Sequence, residues 1–131
     1  MLTARQKVLN NLRFLDLSYS KLRTFDLRLA PNLEQLTITS CHDFVELHMP
    51  ADHHSKLKYL NLSHSKLKSL HLGNTPNLEN LKLKGCNHLV ELQMPVKSLK
   101  LKYLDLTAGM WKFKVSKEDY YRNMVQELCG D

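Results

Sequence analysis

Residues 57–95, LKYLNLSHSKLKSLHLGNTPNLENLKLKGCNHLVELQMP, restate residues 12–50, LRFLDLSYSKLRTFDLRLAPNLEQLTITSCHDFVELHMP, at an offset of 45 positions. A third copy opens at Leu101 with LKYLDL, which shares five of six residues with LKYLNL at Leu57, and then breaks off. A chain that repeats at a fixed period rebuilds one small unit, and a unit this short cannot bury its apolar face alone. Successive units must therefore stack on one another.

Within each copy a shorter template recurs, L-x-x-L-x-L with a small residue three positions on. Its instances are Leu12, Leu15 and Leu17 with Ser20; Leu33, Leu36 and Ile38 with Cys41; Leu57, Leu60 and Leu62 with Ser65; Leu78, Leu81 and Leu83 with Cys86; and Leu101, Leu104 and Leu106. The start-to-start spacings of 21, 24, 21 and 23 fall in the range of a leucine-rich repeat. The x-L-x-L-x alternation predicts a short strand with one buried and one exposed face. A second apolar rhythm follows in each coil, for example Leu22, Phe25 and Leu27, or Leu67, Leu70 and Leu72, and closes the core from the other side. Pro31, Pro50, Pro76 and Pro95 end these return limbs, where no helix can continue. The expected fold is an α/β-type solenoid. In it a leucine-rich-repeat horseshoe arc carries short parallel strands on the concave face and a mostly irregular or 3₁₀ convex side.

Residues 12–106 hold about five repeats, with residues 1–11 as an N-terminal flank or partial repeat. After Leu106 the template gives way to Thr107, Ala108, Gly109, Met110 and Trp111, so residues 107–131 form a divergent tail. There Ser116 with Asp119 resembles a capping box, Tyr120, Tyr121, Met124, Val125 and Leu128 recur at helical spacing, and Gly130 is placed as a stop, predicting a helix over 117–129.

The net charge of +6 is unevenly distributed: residues 56–117 hold twelve Lys against three acids, whereas residues 1–55 balance six against six. That bias is first the solvated face expected of Lys beside buried Leu; its functional reading is a partner with an acidic surface, and nucleic acid is not expected, because no nucleic-acid motif accompanies the lysines. No apolar run approaches the roughly 20 residues of a membrane span, and the first residues lack the apolar stretch of a signal peptide. With three cysteines, an odd number, these features point to a cytoplasmic chain without a disulfide framework.

Cys41 and Cys86 occupy equivalent positions directly after the strand, where a small or thiol side chain turns inward and bonds backbone groups, a structural role. His48, Asp52, His53 and His54 form the densest cluster of metal-ligating types, but they straddle Pro50 in the longest insertion, and the second copy, QMPVKSLK, keeps no histidine. No metal site is expected. The chain has no Gly-rich phosphate loop, G-x-S-x-G elbow or H-E-x-x-H, so neither an enzyme nor a cofactor is expected.

The exposed strand positions hold the functional information. One column is Phe14, Gln35, Tyr59, Asn80 and Tyr103; the next is Asp16, Thr37, Asn61, Lys82 and Asp105; the third is Ser18, Thr39, Ser63, Lys84 and Thr107. The first two columns are the candidate protein-binding concave face. Aromatics recur in alternate coils, each preceded by a cation (Arg13, Lys58, Lys102), a stripe suited to protein recognition.

The segments TITSCHDFVELHMP and LKLKGCNHLVELQMP, preceded by LRFLDLSYSKL and LKYLNLSHSKL, resemble the repeats of plant intracellular nucleotide-binding leucine-rich-repeat immune receptors, particularly those with an N-terminal TIR domain. The resemblance covers about residues 7–106 and rests on C-x-x-L with a trailing L-x-M-P. It implies a cytoplasmic disease-resistance module for defence signalling that contacts a pathogen effector, a guarded host protein or the receptor's own nucleotide-binding domain. Nothing in the chain resembles a TIR domain or P-loop, so nucleotide binding and NAD cleavage are not carried over. Two alternatives stand beside this reading. One is a leucine-rich-repeat adaptor for another pathway, such as ubiquitin ligase substrate selection; the other is a truncated fragment with no autonomous function, whose open apolar end favours self-association.

Overall fold

The computed structural model describes residues 7–52, 54–94, 100–107 and 114–115. The chain winds through about four turns of a parallel-strand solenoid. Strands β1 (Phe14–Asp16), β3 (Gln35–Thr37), β5 (Tyr59–Asn61), β7 (Asn80–Lys82) and β9 (Tyr103–Asp105) form one five-stranded parallel sheet in that order. The L-x-x-L-x-L segments thus make the predicted strands.

The register is uniform. Leu15, Leu36, Leu60, Leu81 and Leu104 pair across neighbouring strands and point inward, all buried except Leu15 in the first coil. Each buried Leu is worth about 1.5–3 kcal/mol relative to exposure, and the column shares one continuous core with Phe44, Leu47, Leu70 and Leu92. Burial falls off at the start of the chain, where Leu12, Leu15, Leu17, Leu22 and Phe25 are only partly covered. Among the described residues β1 is paired on one side, with β3, at the edge of the sheet.

The return limb corrects the sequence expectation. It is mainly strand: β2 (Thr24–Asp26) pairs with β4 (Glu46–His48), and β6 (Ser69–His71), β8 (Glu91–Gln93) and β10 (Lys114–Val115) form a three-stranded parallel sheet. Among the described residues the one 3₁₀ turn is Leu27–Leu29, and there is no α-helix. The physical reason lies in the limb's rhythm: Ser69, Leu70 and His71 alternate exposed, buried, exposed, and a strand satisfies that period-two burial while bonding to the next coil. Limbs of this length are too short for a stable helix but long enough for three paired residues. The predicted helix at 117–129 lies outside the described residues. The tail departs from the repeat in sequence, yet Lys114 and Val115 register against Glu91 and Leu92, adding a rung to the second sheet.

β4 and β6 belong to separate sheets. Between them runs the coil with the 24-residue spacing, whose extra residues follow Pro50; a single bond from the Lys66 N–H to the Phe44 carbonyl, 2.9 Å, bridges the start of the two limbs. Asparagines hold the turn layer: Asn32 Nδ2 donates to the Asn10 carbonyl at 2.6 Å and Asn77 Nδ2 to the Ser55 carbonyl at 3.0 Å. Both follow the prolines of the repeated P-N-L-E text. At the 3₁₀ turn, Asp26 accepts from the Arg28 N–H and also pairs with its guanidinium at 2.7 Å.

A sharp corner follows each of β1, β3, β5 and β7. Tyr19, Ser40, His64 and Gly85 occupy one repeat position, and all have left-handed backbone, with φ of 61°, 55°, 58° and 70°. Their N–H groups donate to Thr39, Ser63, Lys84 and Thr107 carbonyls of the next coil at 2.8–3.0 Å, so the strained conformation extends the inter-coil ladder. At Gly85 a side chain would carry the same backbone strain as Tyr19, Ser40 and His64 and would also meet the His64 ring, which occupies the space a Cβ would take. Gly85→Ala is therefore expected to destabilise the chain by about 1–2 kcal/mol from backbone strain alone, with steric overlap adding to it. Urea melts of Gly85→Ala, with and without His64→Ala, check this: recovery of part of the loss in the double variant identifies the ring as the obstacle, and no recovery refutes that contact.

Candidate protein-docking face

The outward side of the five-stranded sheet carries the two columns picked out in the sequence. Phe14, Gln35, Tyr59, Asn80 and Tyr103 are register partners across the five strands, as are Asp16, Thr37, Asn61, Lys82 and Asp105. In-register parallel strands set neighbours about 4.8 Å apart and alternate coils about 10 Å apart, which decides which of these residues meet.

Tyr59, Lys82 and Tyr103 come together. Lys82 Nζ lies 5.4 Å from the Tyr59 ring centroid and 5.9 Å from that of Tyr103, so one ammonium bridges the faces of two rings two strands apart. Each such contact contributes about 0.5–1 kcal/mol at an exposed site. The Tyr59 hydroxyl accepts from Asn61 Nδ2 at 3.3 Å, and Asn61 Oδ1 accepts from the Ser63 hydroxyl at 2.7 Å. On the far side Asp105 Oδ1 accepts from the Thr107 N–H at 2.9 Å and its hydroxyl at 2.6 Å. Burial works against the Asp105 charge, but those bonds and the nearby Lys84 and Lys82 outweigh it and hold the carboxyl below its ordinary range.

Phe14 stands apart. It lies on the edge strand, 61% exposed, two strands from Tyr59, with Gln35 between them. Asp16 beside it is tied to the Ser18 N–H at 2.9 Å, and hydrogen bonds from Ser18 lower its pKa. Thr37 is half-buried between them and the cluster; the next residue outward, Thr39, donates its hydroxyl to Ser18 Oγ at 2.9 Å. The aromatic stripe is thus two separate features: a lone phenylalanine at the edge and a Tyr–Lys–Tyr stack over the later coils.

A further row escaped the reading of the sequence. Arg13, Glu34, Lys58, Glu79 and Lys102 precede successive strands, so charge alternates coil by coil. Arg13 pairs with Glu34 at 3.2 Å and Lys102 with Glu79 at 3.7 Å. The cations were legible beside the aromatics; the acids sat in plain view in P-N-L-E at 31–34 and 76–79. Their role appears only when coils are laid side by side.

Cys41 and Cys86 are buried and free. Each thiol donates to a carbonyl of the preceding coil, Cys41 Sγ to Leu17 at 3.2 Å and Cys86 Sγ to Leu62 at 3.1 Å, and meets a serine of that coil, Ser20 at 3.4 Å and Ser65 at 3.7 Å. Burial pushes the Cys86 thiol up, keeping it protonated as a donor. The histidines near Pro50 pair locally, His48 with Glu46 at 3.7 Å and His54 with Asp52 at 3.3 Å. Among the described residues no group of three or more His, Cys, Asp or Glu is placed to hold a metal ion, and no helix is long and apolar enough to cross a membrane.

No protein-family model, curated protein or solved structure matches this chain.

The charge around Asp105 gives a direct check. Its carboxyl is expected to titrate below 3.8, the ordinary value, and to move up toward it in Lys82→Gln/Lys84→Gln. Because the native pKa is depressed, the associated stability is present above pH 3.8 and is lost as pH falls through the native value. Carboxyl-carbon NMR titration of both proteins reads this; an unchanged midpoint would show that the lysines do not act on Asp105.

Proposed function

We propose that this chain is a leucine-rich-repeat protein-interaction module, belonging to an intracellular receptor of the plant nucleotide-binding immune class, and that the outer face of its five-stranded sheet takes a protein partner. The observation that carries the reading is the face itself. Lys82 sits between Tyr59 and Tyr103, and Phe14 is exposed at the edge of the same sheet. Aromatic rings give large contact area at small conformational cost, and tyrosine adds a polar end for water or a partner.

Other features support the class. The 21 to 24 residue period, the inward Cys41 and Cys86 after alternate strands, and the L-x-M-P ends of both copies are what the resemblance to such receptors rests on. A pathogen effector, a guarded host protein or the receptor's own nucleotide-binding domain is the partner under this proposal, and a cytoplasmic location goes with it. Its action is binding without chemistry, since the face offers rings, amides, ammonium groups and carboxylates tied up in local hydrogen bonds.

A photo-crosslinking amino acid at Phe14 tests the proposal against one at Val90, which is also exposed but precedes β8 on the other sheet. In plant leaf cells the Phe14 probe is expected to give a discrete protein adduct that the Val90 probe does not. The identified protein, purified, should bind Phe14→Ala/Tyr59→Ala/Tyr103→Ala at least about tenfold more weakly than the unaltered chain, with coincident melting curves. Equal adducts at both sites, or unchanged affinity, would refute the docking face.

A further inference from the structure

Resting on the docking face just proposed, we infer that the Tyr59–Lys82–Tyr103 stack, together with Lys84, recognises paired carboxylates of an extended acidic peptide segment, Asp or Glu at alternate positions.

The stack excludes one class of partner. Two tyrosine faces about 10 Å apart, on alternate strands, are suited to a cation between them, but that place is filled by Lys82 of the same sheet. A partner's lysine or arginine is therefore excluded by occupancy and by like charge. What the stack presents outward is an ammonium already placed against two rings. A lysine has many rotamers to lose on binding, and much of the ordering needed to meet an anion is done before the anion arrives.

The charge balance of the face points the same way. Its acids are committed within the sheet: Glu34 to Arg13, Glu79 to Lys102, Asp16 to Ser18 and Asp105 to Thr107. Among the described residues Lys82 and Lys84 share one acid, Asp105, whose Oδ1 already takes two hydrogen bonds. Lys58, at the head of the adjacent strand, makes no ion pair among the described residues, since Glu34 and Glu79 on either side pair with Arg13 and Lys102. The uncompensated charge over β5 to β9 is positive.

Spacing sets the form of the ligand. Lys82 ends β7 and Lys84 stands two residues on in the next column, where the turn at Gly85 begins. The ladder to β9's coil continues through both, Leu83 N–H donating to Asp105 and Gly85 N–H to Thr107, which sets the two lysines about 7 Å apart along the chain. Side chains at i and i+2 of an extended peptide are separated by the same distance on the same side. A segment reading acid, any residue, acid and lying along β7 would set one carboxylate on each ammonium, with its side-chain methylenes against the tyrosine rings.

The test uses the full chain and a fluorescein-labelled heptapeptide of alternating Ala and Glu, with the same peptide carrying Gln for Glu as control, read by fluorescence anisotropy at low salt. The Glu peptide is expected to bind at least about tenfold more tightly than the Gln peptide, to weaken about tenfold in Lys82→Gln/Lys84→Gln, and to weaken several-fold in Tyr59→Leu/Tyr103→Leu with both lysines intact. Melting curves of these variants should coincide with that of the unaltered chain. No binding of the Glu peptide at millimolar concentration overturns the inference. Equal binding of the two peptides also overturns it, while a surviving Phe14 crosslink would leave the docking face standing. Tighter binding of oligothymidylate or of phosphatidylserine vesicles than of the Glu peptide would assign the lysines to another anion and overturn it as well.

Discussion

Everything in this structure depends on the in-register hydrogen-bond ladder between successive coils. A three-residue strand has almost no stability alone, and each coil exists because its neighbours satisfy its backbone groups and cover its leucines. The ladder of the large sheet extends beyond the strands proper. It begins where the Glu34 and Gln35 N–H groups share the Arg13 carbonyl and ends at the left-handed corner, where Tyr19 donates to Thr39. The corner conformation is tolerated at tyrosine, serine and histidine because the chain must turn there without losing that last bond. Cys41 and Cys86 serve the same end, extending the bonding of coil to coil with a thiol small enough for the interior.

In-register stacking has a consequence for the surface. If all coils were identical, each exposed charge would face its own kind in the next coil, a destabilising arrangement for directly opposed like charges. The period of 45 residues, twice that of a coil, avoids this. Arg13, Glu34, Lys58, Glu79 and Lys102 alternate in sign along the sheet, and the tyrosines fall on alternate coils, leaving room between Tyr59 and Tyr103 for Lys82. One duplication thus accounts both for the tolerance of a charged face and for the aromatic pair that gives the face its chemistry.

The insertion after Pro50 shows what the ladder demands by showing where it fails. The large sheet runs unbroken through it, because Lys58 and Tyr59 still donate to Glu34. The return limb does not, and β4 and β6 part into separate sheets. Extra residues are absorbed on the side where pairing is short, and the face carrying Tyr59 keeps its register.

The sequence by itself determined the period, the buried letters and the exposed columns, because a repeat of about 22 residues with alternating leucines admits one way of burying them. Leu36, Leu60 and Leu81 had to point inward, and Tyr59, Asn61 and Lys82 outward. It did not disclose that the return limb pairs as strand, since a few apolar residues at mixed spacing fit strand or irregular chain equally well until a neighbouring coil offers its backbone. Nor did it show that Lys82 lies between two rings while Phe14 stands alone, or that His64 fills the space over Gly85. Those outcomes depend on which residues of different coils face one another across a few ångströms, and only the tertiary register decides that.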